Sequence, residues 1–197
     1  MGFVRGLFYL DRETRKSEFE KEGWERLKAH RASAVSFPLH ILIWGPSNNE
    51  TKEYKARCKI REELIKRGHN ASFSEDLCKH PKAIQDPLRD EFLQAVSADV
   101  IIMIYGSRGT QTERDTILVY HDIAQKAYVL IEETMWSNIQ SSIASSSWEK
   151  MGGIAHIIRY KAPEELEKKI DEICEQIDKL RTKLYVDALM GKMKRYA

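Results

Sequence analysis

The sequence predicts an α/β domain built on a doubly wound parallel sheet of about five strands, with extra helices at both ends. Three observations carry this. Several short, nearly continuous apolar runs suit strands buried on both faces. Charged segments with helical spacing of apolar residues separate those runs. The turns that close the runs hold glycine, proline, serine or asparagine. Strands alternating with helices imply βαβ crossovers, hence parallel pairing with helices on both faces.

Residues 12–34 are charged and helix-prone, with Phe19, Trp24 and Leu27 as the large apolar side chains, and Pro38 ends that stretch. Residues 1–36 therefore read as an N-terminal helical extension. Leu39–Trp44 is the first strand, stopped by Gly45-Pro46. A helix follows over about 50–67, with Gly68 as its C′ residue. Residues 70–74 form a weak second strand, and 75–87, with Pro81 and Pro87, read as a loop. Leu88–Val96 reads as a helix. Residues 98–105 are the clearest strand, and a helix is expected from about Thr112 to Gln125. Residues 127–131 and 154–158 supply strands four and five, with a serine-rich stretch, helix or loop, at Ser141–Ser147 between them. Residues 37–162 thus form the α/β domain.

From Pro163 to the end the chain reads as one long helix. Leu166, Ile170, Ile173, Ile177, Leu180 and Leu184 step by 4, 3, 4, 3 and 4. That is a heptad seam. It serves either to pack the helix on the sheet or to form a homo-oligomer. The first use is expected for the first half of the helix. Met190, Met193 and Tyr196 extend apolar character beyond it.

Bulk properties narrow the function. The 197 residues are 42% hydrophobic and 31% charged, with a net charge of +2 from 32 basic and 30 acidic side chains. That balance gives no electrostatic reason to expect nucleic-acid or membrane binding. Cys58, Cys78 and Cys174 are odd in number and form no CxxC, so a reducing cytoplasm is expected. The six histidines lack metal-ligand spacing, and no metal or cofactor is expected. No signal peptide is read at Met1–Leu10, and no apolar run reaches the ~20 residues of a membrane span.

In a 2-1-3-4-5, flavodoxin-like strand order, strands one and three flank the switch point outside which ligands bind. The loops after those strands are the polar, glycine-bearing ones. The first, Gly45-Pro46-Ser47-Asn48-Asn49, can hold an anion at a helix N-terminus, or can simply be a tight turn with Asn or Ser as cap. Taken alone, the turn is the simpler account. There is no GxGxxG and no GxxxxGK[ST]. The second loop is Gly106-Ser107-Arg108-Gly109-Thr110-Gln111-Thr112-Glu113. Glu113 falls in a first helical turn, where a carboxylate could face an anomeric carbon or hold a ribose hydroxyl. On spacing alone, a capping box with Thr110 explains it better. Asp76, in Ser74-Glu75-Asp76 after strand two, is either a ribose contact or a solvated loop residue.

With "ADVIIMIYGSRGTQTE" the chain resembles the nucleoside 2-deoxyribosyltransferase-like group and, more loosely, bacterial TIR-like domains. The likeness covers roughly residues 39–160. It consists of Asp99 before an apolar strand, the Gly109-Thr110 turn, and Glu113 three residues after the threonine. The resemblance implies cleavage of an N-glycosidic bond, with Glu113 as nucleophile or ribose-holding carboxylate. Gly45, Pro46, Ser47, Gly106, Arg108, Gly109 and Thr110 would shape the cleft, with Asp76 as a weaker contact. The chain departs from the transferase pattern at Ser107, where an aspartate is usual, and at Arg114-Asp115, where small residues are usual. Arg108 suits a phosphate-bearing ligand. The expected activity is therefore that of an N-glycosidase, an NADase-like hydrolase or a deoxyribosyltransferase-like enzyme. NAD or a related nucleotide would be substrate or ligand. The alternatives are a non-catalytic nucleotide sensor that assembles through its terminal helices, and an interaction protein that assembles the same way.

Overall fold

The expected strands form one sheet, fully parallel, in the order β2-β1-β3-β4-β5. The strands are β1 (His40–Trp44), β2 (Asn70–Phe73), β3 (Val100–Tyr105), β4 (Ala127–Glu132) and β5 (His156–Tyr160). The helices are α1 (Lys52–Lys66), α2 (Ser74–Leu77), α3 (Pro87–Ser97), α4 (His121–Ala124), α5 (Glu133–Gln140) and α6 (Pro163–Leu189). The computed structural model describes residues 25, 29, 33–34, 36–77, 87–106, 113–115, 117, 119–140 and 155–190. The N-terminal extension and the serine-rich stretch lie largely or wholly outside these. No described helix is long and apolar enough to cross a membrane.

Side chains alternate between the two faces of each strand. Ile41, Ile43, Ile102, Ile104, Leu130 and Tyr160 pack on one face with Ile60 and Leu64 of α1 and Ile170, Ile173 and Ile177 of α6. Leu42, Trp44, Ile101, Met103 and Val129 pack on the other with Ala95 of α3, Ile117, and Ile123 of α4. Helices on both faces explain why the strands read as unbroken apolar runs. β3 is buried at all six positions.

Asp99 ties β1 to β3 at their start. Its Oδ2 accepts from His40 N at 2.8 Å, and its own N–H donates to His40 O at 2.8 Å. This gives the aspartate before the third strand a structural task at the end opposite the loops. Gly68 ends α1 with φ +84°, donating to Ile65 O, as expected of a C′ glycine.

Four elements differ from the sequence reading. Residues 74–77 form a helical turn where the end of strand two and the start of a loop are expected. α5 follows β4 directly, in a segment to which the sequence reading assigns no element. The helix expected over 112–125 is broken at Tyr120, whose φ −112° and ψ 105° are extended. Ile117 and Ile123 are both buried against the same sheet face. In an unbroken helix they would point about 120° apart. The break lets both reach the core, and Tyr120 O then accepts from Ile123 and Ala124 N–H to start α4. β5 also begins two residues later than expected, in register with Tyr128 through its partner His156.

The heptad seam of α6 is filled by this chain's own sheet. Leu166, Ile173 and Ile177 are fully buried in the core, and Leu180 and Leu184 pack against it. Val186, Leu189 and Met190 beyond them are exposed. A polar cluster fixes α6 against the end of α1. Arg67 and Arg181 both bond Asp178, and Arg181 also bonds Arg67 O. His69 is buried, accepts at Nδ1 from Leu39 N–H, and meets Asp178 Oδ1 through Nε2 at 3.2 Å. This requires the neutral Nε2–H tautomer. Burial lowers its pKa from the ordinary 6.5, against the pull of Asp178.

The native state therefore resists a proton that the unfolded chain accepts below pH 6.5. Stability is present above that pH and is lost as pH falls. Replacing His69 by glutamine should flatten this acid limb of a urea-midpoint-against-pH curve. An unchanged limb would refute the assignment.

Candidate active site

A cavity of about 610 Å³ opens at the carboxyl ends of β1, β2 and β3. It lies where the chain leaves β1 for one neighbour and later returns to the other, the switch point of the order. Gly45, Pro46 and Ser47 line it, as does Gly106 after β3, and Glu113 closes it. The first sequence-predicted loop and the two ends of the second, Gly106 and Glu113, thus meet at this cavity. Arg108, Gly109 and Thr110 lie outside the described residues, as does Ser107. Asp76 is not part of the lining and pairs with Arg61 at 2.8 Å. Its neighbour Glu75 lines the cavity instead, together with Glu53 and Glu91.

The glycines differ in what they do. Gly45 has φ +152°, and a Cβ there would lie 3.3 Å from Ile104 Cβ and 3.4 Å from Arg57 Cδ. Backbone conformation and packing both demand glycine. At Gly106, among the described residues, an added Cβ would meet Glu53 Cγ alone, at 3.9 Å. Gly45→Ala is expected to cost about 1–3 kcal/mol, read as a lower urea midpoint, and Gly106→Ala much less. Equal losses would refute this distinction.

The turn after β1 is capped by Thr51, not by the asparagine or serine expected. Thr51 Oγ1 accepts from Tyr54 N–H at 3.2 Å. Asn48 Oδ1 accepts from Glu50 N–H, so the asparagine shapes the turn. Glu53 stands in the first turn of α1, at the positive end of its dipole.

Arg57 of α1 lies beneath the site and is 1% exposed. Its Nη1 and Nη2 grip both carboxylate oxygens of Glu75, at 2.6 and 2.7 Å. Nη2 also donates to Ile43 O at 2.8 Å and Nη1 to Pro46 O at 3.4 Å. The guanidinium sits 4.1 Å from the Phe73 ring centre. One side chain thereby joins the ends of β1 and β2 and the glycine loop. Burial opposes ionisation of Glu75, yet the bonds from Arg57 hold its carboxyl below the usual range. In the sequence Arg57 is one charged residue of the helix expected over 50–67. Nothing in its spacing marks it; only the fold brings it under the loop.

Glu113 is helical and 7% exposed, and its Oε2 is buried with no hydrogen-bond partner among the described residues. Burial pushes its carboxyl up to about 8, and the charge of Glu91 adds to this, while Arg57 pulls the other way. At neutral pH Glu113 is therefore a protonated acid. Burial also raises Glu91. Among the described residues, no cluster of His, Cys, Asp and Glu has the arrangement to hold a metal ion. Arg114, which follows Glu113, is bonded to its own neighbour Asp115 at 2.5 Å. No protein-family model matches the chain, and no curated protein matches it significantly.

Proposed function

We propose that this protein cleaves an N-glycosidic bond in NAD or a related nucleotide or nucleoside, with Glu113 as the ribose-facing carboxyl. One observation carries the reading: a buried carboxyl with an unsatisfied oxygen lines a cavity at the switch point of a parallel sheet. Strongly perturbed acids in clefts are where catalytic groups concentrate. The bond between C1′ and the base breaks as positive charge grows on the sugar. A carboxylate beside C1′ stabilises that charge, or bonds to it. Glu113 must then be ionised when substrate is bound, so a positive charge on the substrate favours the reactive form.

The chain is incubated with NAD, nucleotides and nucleosides, and free base is followed by chromatography. Wild type should release base and Glu113→Gln should not. Release at the wild-type rate from the variant would sink the mechanism. Tight binding of a nucleotide with no release of base would instead support a non-catalytic sensor.

A further inference from the structure

Four carboxyl groups, Glu53, Glu75, Glu91 and Glu113, line the cavity, and no lysine, arginine or histidine does so among the described residues. Arg57 adjoins it, but each of its terminal nitrogens already makes two hydrogen bonds, to Glu75 and to backbone carbonyls. It neutralises Glu75 and has no terminal N–H left for an anion. Glu113 supplies an independent sign of a ligand, since its Oε2 is a buried acceptor with no partner among the described residues.

We propose that this cavity selects a ligand with a fixed positive charge, of the N-ribosylpyridinium class, and keeps phosphate groups off its acidic wall. The inference rests on the glycosidase reading for the ribosyl part, while the charge preference stands on the lining alone. An anion placed beside Glu53 and Glu91 meets like charge, whereas a cation meets complementary charge. A cation beside Glu113 also counters the burial and the Glu91 charge that keep its proton on. Ligand binding then releases that proton near neutral pH, leaving the carboxylate that C1′ requires.

The same charge suits the bond cleaved. When the C1′–N bond of a pyridinium breaks, both electrons go to the ring nitrogen, and the base departs neutral without needing a proton. Water then bonds to C1′ and gives its proton to solvent. A neutral nucleoside needs a proton on its leaving base, which an ionised Glu113 lacks.

The test uses a pair of probes without a glycosidic bond, N1-methylnicotinamide and its neutral isostere nicotinamide, titrated calorimetrically into the full chain. The cation should bind at least about tenfold more tightly, a difference of roughly 1.4 kcal/mol. Its binding should release protons at pH 7, seen as a dependence of the heat on buffer. The preference should shrink in Glu91→Gln, and inorganic phosphate should not compete. Equal affinity of the two probes, competition by phosphate, or no binding of the cation at millimolar concentration overturns the inference. The two readings fail separately. Cation selectivity without base release removes the glycosidase reading alone. Faster release from a neutral nucleoside than from nicotinamide riboside removes the charge preference alone.

Discussion

Glu113→Gln should reduce base release by at least about a hundredfold and, at pH 8 and above, should make the protein more stable than wild type. The two effects share one cause. The Glu113 carboxyl holds its proton up to about pH 8 in the native state, against an ordinary value of 4.5. Between those pH values the folded chain keeps a proton that the unfolded chain has lost. Stability is then fully present below pH 4.5 and falls as pH rises towards 8. Each pH unit in that window costs about 1.4 kcal/mol, so the whole fall is on the order of 5 kcal/mol. Glutamine keeps the shape and removes the ionisation.

Urea midpoints from pH 5 to 9 would show this directly. The wild-type midpoint should decline across the window and the variant midpoint should stay nearly level. His69 acts with the opposite sign, losing stability as pH falls, so its effect is best isolated in the Glu113→Gln background. Parallel wild-type and variant curves would show that Glu113 ionises normally, and the acid in the cavity would be an ordinary one.

Arg57→Ala should destabilise the fold by about 3–5 kcal/mol. The loss combines three terms. Ile43 O loses the donor that Nη2 provides at the buried end of β1. The stem that packs under Gly45 and the guanidinium on Phe73 vanish. Glu75 loses the bidentate partner that keeps it ionised. Lysine should not rescue, because one ammonium cannot grip a carboxylate in a fork and reach two carbonyls. Glu75→Gln should cost less than Arg57→Ala, since the Arg57 stem, its bonds to Ile43 O and Pro46 O and its contact with Phe73 all remain. Chemical denaturation of the three variants, with the cavity probed by cation binding, orders these costs. A loss below about 1 kcal/mol for Arg57→Ala, the range of an exposed ion pair, would show that Arg57 is not the support described here.

The sequence by itself determined the class of fold, the strands and the turns, at Gly45 and Gly106, that line the candidate cavity. These rest on local chemistry. Apolar runs such as 100–105 can be buried on both faces only in a covered parallel sheet, and Gly45 and Gly68 mark turns through their backbone freedom. Glu113 could be singled out because a resemblance pointed at it, while its spacing alone described a helix cap. What the sequence could not reveal depends on which residues meet in space. The heptad spacing of α6 fits a dimer seam or a sheet face equally well, and only the contacts of Leu166, Ile173 and Ile177 show which partner fills it. The break at Tyr120 follows from where Ile117 and Ile123 must both point. Arg57, Glu75 and Glu91 look like ordinary helix and loop charges until β1, β2 and α3 bring them to one cavity. Burial then gives Glu113 its raised pKa, because desolvation is a property of the surroundings and not of the residue. Tertiary structure alone turned a carboxylate in a predicted loop-to-helix turn into a neutral acid facing a negatively charged pocket.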